Sequence, residues 1–190
     1  MAFQFKKLEI PGLIYIKTEI FGDSRGFFTE IFKASVFKAK GIVKPMVQVN
    51  HSKSSKGVLR GLHYQKSPRA QGKLVSVVSG EIFDVAVDIR KGSPTYSQWT
   101  GVRLNAKKKN MFYIPEGFAH GFYTVSKAAE VIYHCTAEYS VEHERGIIWN
   151  DPVIAVVWPG DAPEVSKRDK GLPFLKDADN HFKFVKGKHQ

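Results

Sequence analysis

The chain has 190 residues, of which 43% are hydrophobic and 13% aromatic, and a formal net charge of +11. This length and apolar content suit one compact domain with a sizeable core and exclude disorder of the whole chain. The positive charge predicts attraction to anions, and by itself it leaves nucleic acid, an acidic membrane surface and a phosphorylated metabolite open as partners.

The N-terminal residues alternate apolar and charged side chains, without the long apolar run that a signal peptide or a membrane span requires. Cys135 is the only cysteine, so no disulfide can form within the chain. Its setting in VIYHC is typical of a small buried apolar residue. We therefore expect a cytoplasmic protein without membrane association.

Apolar residues recur mostly with a period of two, which is typical of strands. In IFDVAVDI, one face carries Phe83, Val85, Val87 and Ile89, and the other carries Asp84, Ala86 and Asp88. Turn-forming residues separate many such runs, and helical patterns are confined to residues 34–40 and 164–170. The pattern predicts an all-β antiparallel sandwich or barrel with a few short helices.

The chain shows no internal repeat, and no linker-like stretch between Val58 and Pro159. We therefore expect a single domain over residues 1–190. The last 30 residues are polar and rich in Pro, Asp and Lys, and we expect them to wrap around the barrel or to lie at a subunit contact.

The segment GVLRGLHYQ places Arg60 and His63 three residues apart, which on a regular strand sends them to opposite faces. Gly61 between them could host a bulge that turns both to one side, a common device beside binding sites. Alone, the segment favours a surface arginine and a hydrogen-bonded core histidine.

In IPEGFAHGF, a tight turn delivers His120 to the start of the next strand, a spacing known from cupin barrels in which the histidine is often a metal ligand. Zinc and iron sites need three or four ligands on one centre. The segment GLHYQ adds only His63, without the second histidine of a His-x-His pair. The sequence therefore predicts no metal.

In EVIYHCTAEYS, alternation places Val131, Tyr133 and Cys135 on one face of a strand. A tyrosine there most often belongs to the core, with its hydroxyl bonded. Opposite a histidine inside a barrel it could instead donate a proton, since a phenol is a usable general acid. This segment alone leaves both roles open.

Six segments, in their order along the chain, resemble the dTDP-4-dehydrorhamnose 3,5-epimerase family. They are GDSRGFFTE, QVNHS, GVLRGLHYQ, QGKLVSVVSGEIFDVAVDIRKGSPTY, IPEGFAHGF and the run from AEYS to WNDP. Each string is a weak signal, whereas six in order with similar separations are a strong one, and they extend over about Phe21 to Asp169. The resemblance implies a cupin-type, double-sheet antiparallel jelly-roll barrel.

In that family a thymidine-diphospho-4-keto-6-deoxyhexose is inverted at C3 and C5 by proton abstraction beside the ketone. The resemblance makes His63 the base and Asp169 its supporting carboxylate. It places Lys73 against the developing enolate and makes Tyr133 the acid. Near Asp169 the chain reads Ser-Lys-Arg-Asp where the family usually shows Ser-Glu-Lys-Asp.

The resemblance also implies substrate contacts. Arg25 and Arg60 would hold the diphosphate, and Phe27 and Tyr139 would pack on the thymine ring. The other matching polar positions around the nucleotide and the sugar are Glu30, Gln48, Asn50, His120, Glu144 and Arg168. It further implies that no cofactor takes part and that the protein is a homodimer with its N-terminal strands at the interface.

Two alternatives stay open. One is a single-centre epimerase or ketoisomerase acting on another nucleotide-linked 4-keto sugar, although Tyr133 together with His63 and Lys73 favours two-centre epimerisation. The other is a non-catalytic barrel that holds an anionic sugar or nucleic acid. Nucleic acid would require a continuous basic face with stacking aromatics. The basic residues named above are expected to converge on one pocket instead, so we expect no nucleic acid to bind.

Overall fold

The computed structural model describes residues 2–186 of the chain. Within this range the strands are β1 (Phe3–Lys7), β2 (Ile14–Thr18), β3 (Phe21–Asp23), β4 (Gly26–Phe28), β5 (Gln48–Ser55), β6 (Val58–Gln65), β7 (Lys73–Ser79), β8 (Glu81–Asp88), β9 (Trp99–Asn105), β10 (Met111–Ile114), β11 (Phe118–Thr124), β12 (Ala128–Cys135), β13 (Glu144–Gly146) and β14 (Glu164–Val165). The helices are α1 (Ala34–Ala39), α2 (Lys167–Lys170) and a 3₁₀ turn at Leu175–Asp177.

The strands form two facing sheets. The first has the order β1-β2-β10-β7-β12-β5, and the second has the order β13-β6-β11-β8-β9 with β14 added beside β6. Strands β3 and β4 form a separate hairpin. All pairs are antiparallel except β14 with β6. The predicted double-sheet antiparallel barrel with a few short helices is confirmed.

The main core lies between the sheets. Val75 and Phe112 of the first sheet pack in one cluster with Ile82 and Phe122 of the second, and all are at most 4% exposed. Burying each such side chain contributes about 1.5–3 kcal/mol. Outside the first sheet, Phe37 of α1 covers another apolar cluster.

In strand β8 the alternation does not separate a buried face from an exposed one. Its residues do fall on two faces, but both faces are buried, with Asp84 as inaccessible as Val85. The Val85 face packs against Ile147, Ile154 and Leu175 from the chain that follows β13. The polar face is therefore the interior of the barrel, because the apolar face is covered from outside.

The predicted helix at residues 34–40 is confirmed as α1, whereas the one at residues 164–170 is wrong over its first half. Glu164 and Val165 pair with β6. Ser166 follows them as the N-cap of α2, and its hydroxyl accepts a hydrogen bond from Asp169 N at 3.0 Å. Serine favours this boundary because its hydroxyl satisfies a free amide of the first turn. No helix within residues 2–186 is long and apolar enough to cross a membrane.

Candidate active site

A cavity of about 430 Å³ lies between the two sheets. Seven of the predicted site residues line it: Arg60, His63, Lys73, His120, Tyr133, Arg168 and Asp169. They come from β6, β7, β11, β12 and α2, so both sheets and the C-terminal segment contribute to it. A second cavity, of about 470 Å³, is lined by several lysines but by no histidine within the described chain.

The backbone of β6 is bulged where it enters the cavity. Arg60 pairs with Phe122, and His63 pairs with His120. Two residues of β6 therefore lie between these pairs where β11 has only one. Gly61 adopts φ +120°, and a Cβ there would lie 2.6 Å from the Cα of Gly121. The bulge hypothesised at Gly61 is confirmed, and it brings Arg60 and His63 to the same cavity.

His63 is held by a buried carboxylate. Its Nε2 lies 2.8 Å from Oδ1 of Asp169, while Oδ2 accepts a hydrogen bond from the backbone amide of Gly61 at 3.2 Å. Burial opposes ionisation of Asp169, but the His63 ring and the Gly61 amide together hold the pKa of this carboxyl below its ordinary value. The Nδ1 atom of His63 is left to act as a base.

Lys73 and Tyr133 stand on neighbouring strands of the opposite sheet. Burial lowers the pKa of Lys73, and the negative groups near it, Glu144 and Asp84 among them, reverse this only in part. Burial likewise raises the pKa of Tyr133, so its phenol keeps its proton well beyond neutral pH. One cavity thus combines an imidazole, a partly buried lysine and a protonated phenol, which can serve as the base, the cation and the acid that enolisation of a ketone requires.

His120 belongs to a second histidine–carboxylate pair. Its Nε2 lies 2.7 Å from Oδ1 of Asp84 on the neighbouring strand. Burial lowers the pKa of His120, Asp84 counteracts this, and Lys73 and His63 lower it further. His120 is therefore a neutral imidazole at the cavity wall.

Arg60 and Arg168 are exposed residues of the cavity lining, and Glu144 and Tyr139 are bonded to one another beside Arg168; we call these four residues the mouth of the site. Arg60 Nε donates to Ser54 at 3.0 Å. Glu144 accepts from Arg168 at 2.6 Å and from the hydroxyl of Tyr139 at 2.5 Å. These bonds hold the pKa of Glu144 below its usual range despite its partial burial. The mouth thus presents two guanidinium groups and an aromatic ring.

Gln48 and Asn50 continue this polar rim along β5. Gln48 Nε2 donates to Asn50 Oδ1 at 2.9 Å, and its Oε1 accepts from the amide of Tyr139 at 2.7 Å. Asn50 stands opposite Tyr133 in the pairing of β5 with β12. Both residues are thus linked to the site without lining the cavity itself.

Three predicted contacts lie elsewhere in the chain. Arg25 and Phe27 belong to the β3–β4 hairpin, and Glu30 follows it; none of them lines the cavity. The side chain of Arg25 is 88% exposed and pairs with Asp23 in the same hairpin. Phe27 lies under the ammonium of Lys109, 4.4 Å from the ring centre. Within one chain, the structure does not bring this hairpin to the site.

Sequence reasoning missed Asp84 and Ser166. Ser166 caps α2 and so orients Asp169, and the spacing Ser-x-x-Asp was a signal that could have revealed the cap. Asp84 carried no such signal, because a carboxylate in an alternating strand ordinarily faces solvent. Within residues 2–186, no group of three or more His, Cys, Asp and Glu residues is arranged to hold a metal ion.

The model of the dTDP-4-dehydrorhamnose 3,5-epimerase family matches residues 7–177. The chain is 53% identical to the dTDP-4-dehydrorhamnose 3,5-epimerase of Shigella flexneri over 174 residues, which cover 91% of this chain and 96% of the relative. It is also similar to the solved structure of a dTDP-6-deoxy-D-glucose-3,5-epimerase from Legionella pneumophila in complex with dTDP-4-keto-L-rhamnose. That similarity has a TM-score of 0.88 at 49% identity, over 92% of this chain and 93% of the other.

The fold extends to a relative of different specificity. A 3'-monoepimerase from Streptomyces bikiniensis, solved with dTDP-quinovose, has a TM-score of 0.83 at 34% identity, over 89% of this chain and 86% of that one. Identity is thus higher to the 3,5-epimerases above than to this monoepimerase. The family model, which spans most of the chain, confirms the resemblance of the six segments: the chain is an isomerase and belongs to the dTDP-4-dehydrorhamnose 3,5-epimerase family.

Proposed function

We propose that the protein epimerises dTDP-4-keto-6-deoxyglucose at C3 and C5 to give dTDP-4-keto-L-rhamnose, in the biosynthesis of dTDP-L-rhamnose. The observation that carries this proposal is the convergence of His63, Lys73 and Tyr133 on one cavity of a chain of this family. Enolisation of a 4-ketone needs a base, a cation beside the developing oxyanion and an acid, and these three side chains can supply them.

The reaction uses these groups in sequence. His63 Nδ1 removes the proton from the carbon beside the ketone, and the electron pair of that C–H bond moves into an enolate. The ammonium of Lys73 stabilises the negative charge that develops on the ketone oxygen. Tyr133 then gives its proton to the opposite face of the same carbon, which restores the ketone with inverted configuration. Solvent returns a proton to the phenolate and removes one from His63, and the cycle repeats at the second carbon.

The rim of the cavity suits a nucleoside diphosphate. Arg60 and Arg168 place two guanidinium groups at the mouth, and a guanidinium fork matches phosphate oxygens well. Tyr139, held by Glu144, is half exposed and offers its ring to a base. Gln48, Asn50 and His120 supply further polar contacts to the nucleotide and the sugar.

The hairpin residues enter this proposal through a second copy of the chain. In the β3–β4 hairpin, Phe21, Phe27 and Phe28 are 51%, 60% and 67% exposed. An exposed apolar area of this kind is typical of a protein–protein interface. We place Arg25, Phe27 and Glu30 of one subunit at the cavity mouth of the other, in a homodimer with the N-terminal strands at the interface. We also place this enzyme in the cytoplasm, and we assign no cofactor and no nucleic acid to the reaction.

A single-centre epimerase is the second candidate, because the S. bikiniensis monoepimerase shares the fold. The higher identity to 3,5-epimerases favours inversion at both centres. A non-catalytic anion-binding barrel is disfavoured, because it would have no need for a base and an acid on facing sheets.

The test is incubation with dTDP-4-keto-6-deoxyglucose in deuterated water, followed by NMR of the product. We expect deuterium at C3 and C5 and inverted configuration at both carbons. Deuterium at one carbon only would establish the single-centre alternative. Absence of both exchange and inversion would reject the proposed activity.

A further inference from the structure

Asp84 is a buried carboxylate that the reaction described above does not use. It is 0% exposed, its Oδ1 lies 2.7 Å from Nε2 of His120, and its Oδ2 has no hydrogen-bond partner within the described chain. His120 lines the cavity, whereas Asp84 lies behind it. Ala86 pairs with His120 across the two strands, and Asp84 pairs with Phe122, so His120 and Asp84 are diagonal neighbours.

Asp88, four residues further along β8, is a buried carboxylate with a structural role and serves for comparison with Asp84. It is equally buried, and both of its oxygens are satisfied by hydrogen bonds from Arg90, Ser93 and Thr95. Among the described residues, Asp84 receives a hydrogen bond from His120 alone. Burying a half-satisfied carboxylate is costly, so a purely structural role does not explain this side chain.

The geometry determines which ring nitrogen faces the cavity. A carboxylate can only accept a hydrogen bond, so a neutral imidazole bonded to it through Nε2 carries its proton on that atom. Nδ1 then presents a lone pair. A lone pair can accept a hydrogen bond from a hydroxyl group, whereas it gains nothing from a carbonyl oxygen or a fluorine in the same place.

The two histidine–carboxylate pairs of the cavity differ in access to water. The side chain of His63 is 23% exposed, and that of His120 is 9% exposed. A base that takes up and releases protons in each turnover needs exchange with solvent. His120 is the more enclosed of the two, which suits a fixed acceptor rather than a second base.

We propose that Asp84 is a positioning residue that holds His120 as the Nε2-protonated tautomer, so that Nδ1 accepts a hydrogen bond from a hydroxyl group of the bound sugar. The identity of the ligand as a sugar nucleotide rests on the proposed function. The tautomer of His120 is a property of the free protein and does not depend on it.

The experiment is long-range ¹H–¹⁵N correlation NMR of protein labelled at histidine nitrogen, without ligand, with the His120 signals assigned by their loss in His120→Asn. We expect the Nε2–H tautomer in the wild type, a mixture of tautomers in Asp84→Ala, and an intermediate state in Asp84→Asn, which preserves the shape of the side chain. The matched control is Asp88→Asn, which should lower the melting temperature without changing the His120 tautomer.

Kinetics with the dTDP-sugar complete the test. We expect Asp84→Ala to raise KM by roughly 10-fold, by analogy with the losses of roughly 10–100-fold that follow removal of a partner that orients a metal-binding histidine, with a smaller change in kcat. Deoxyfluoro analogues of the sugar should lose less affinity in this variant than in the wild type at the position that His120 contacts. A wild-type His120 protonated at Nδ1, or an unchanged tautomer in both Asp84 variants, would overturn the proposal whether or not the chain epimerises. A changed tautomer with unchanged KM would overturn the contact to the hydroxyl group.

Discussion

The pKa shifts of Asp169, Tyr133 and Lys73 follow from the immediate surroundings of each side chain. Asp169 supports His63 while remaining ionised, and burial keeps the Tyr133 phenol protonated. Burial disfavours the charged form of Lys73, so the ammonium of this residue is held in the site at a cost to the folded state. Of these three side chains, Lys73 is therefore the one whose charged form reduces stability.

The first prediction separates the base from the acid. His63→Ala should abolish both inversion and solvent exchange, since loss of a general base costs roughly 10²–10⁴-fold. Tyr133→Phe preserves the ring and its packing and removes only the proton, so deuterium exchange into the substrate should persist while little inverted product forms. Asp169→Asn should fall between these two. Mass spectrometry and NMR in deuterated water measure all three, and inversion at the wild-type rate in Tyr133→Phe would contradict the assignment of this acid.

The second prediction concerns the stability cost of Lys73. Because burial lowers its folded-state pKa, protonation favours the unfolded chain, and the resulting penalty is fully present at pH values below the folded pKa. The penalty falls as the pH rises from that value to the unfolded pKa. Lys73→Met should therefore inactivate the enzyme and raise the melting temperature at neutral pH by roughly 2–4 °C, or about 1 kcal/mol.

Thermal melts at neutral and alkaline pH measure this effect. The stability gain of Lys73→Met over the wild type should shrink at alkaline pH. A gain that is independent of pH would show that better packing of methionine, and not the removal of a buried charge, is the cause.

At the scale of single elements, the bulge of β6 and the short helix α2 set the geometry around His63. The bulge turns Arg60 and His63 into one cavity. The Ser166 cap directs Asp169 at the ring of His63 from the other side. Neither element is long, so their effect depends on a few residues with special conformations.

The third prediction tests the bulge. Gly61→Ala places a methyl group 2.6 Å from Gly121 Cα at a φ of +120°, so the backbone of β6 or β11 must move. We expect a loss of at least about 1–3 kcal/mol and a fall in kcat, because Arg60 and His63 lose their alignment. Gly57→Ala is the matched control, since φ is also positive there (+87°) but the new methyl group has only a 3.8 Å contact with Tyr123. It should cost less than Gly61→Ala and leave kcat unchanged in assays paired with thermal melts; equal effects of the two variants would contradict a special role of the bulge.

At the scale of the whole molecule, the net charge and the proposed dimer both affect the cavity mouth. Net charge of +11 raises the rate at which a dianionic nucleotide sugar reaches the protein. The predicted site residues of the exposed hairpin do not line the cavity of their own chain. The proposed dimer accounts for this arrangement.

The fourth prediction tests the dimer by subunit mixing at low substrate concentration. Arg25→Ala and His63→Ala alone should each be poorly active. After unfolding and refolding together, a mixed dimer would contain one cavity with both residues intact, so activity should return to roughly a quarter of wild type for random pairing. A mixture of Arg60→Ala and His63→Ala is the control, because both residues line the cavity of their own chain and no intact site can form. Failure of the first mixture to recover would show that Arg25 does not act across subunits.

The sequence by itself determined the all-β class, the family and the residues that meet in the cavity, because strand periodicity and motif order are local features of the chain. It also located the bulge, since only glycine accommodates the conformation at position 61. It could not show that the polar face of β8 is internal, because that depends on the chain after β13 covering the other face. Nor could it show that Glu164 and Val165 form a strand beside β6, or that Asp84 reaches His120, since both require strands distant in sequence to pair in one register. Tertiary packing alone decided those points, because burial and hydrogen-bond partners are properties of neighbours in space.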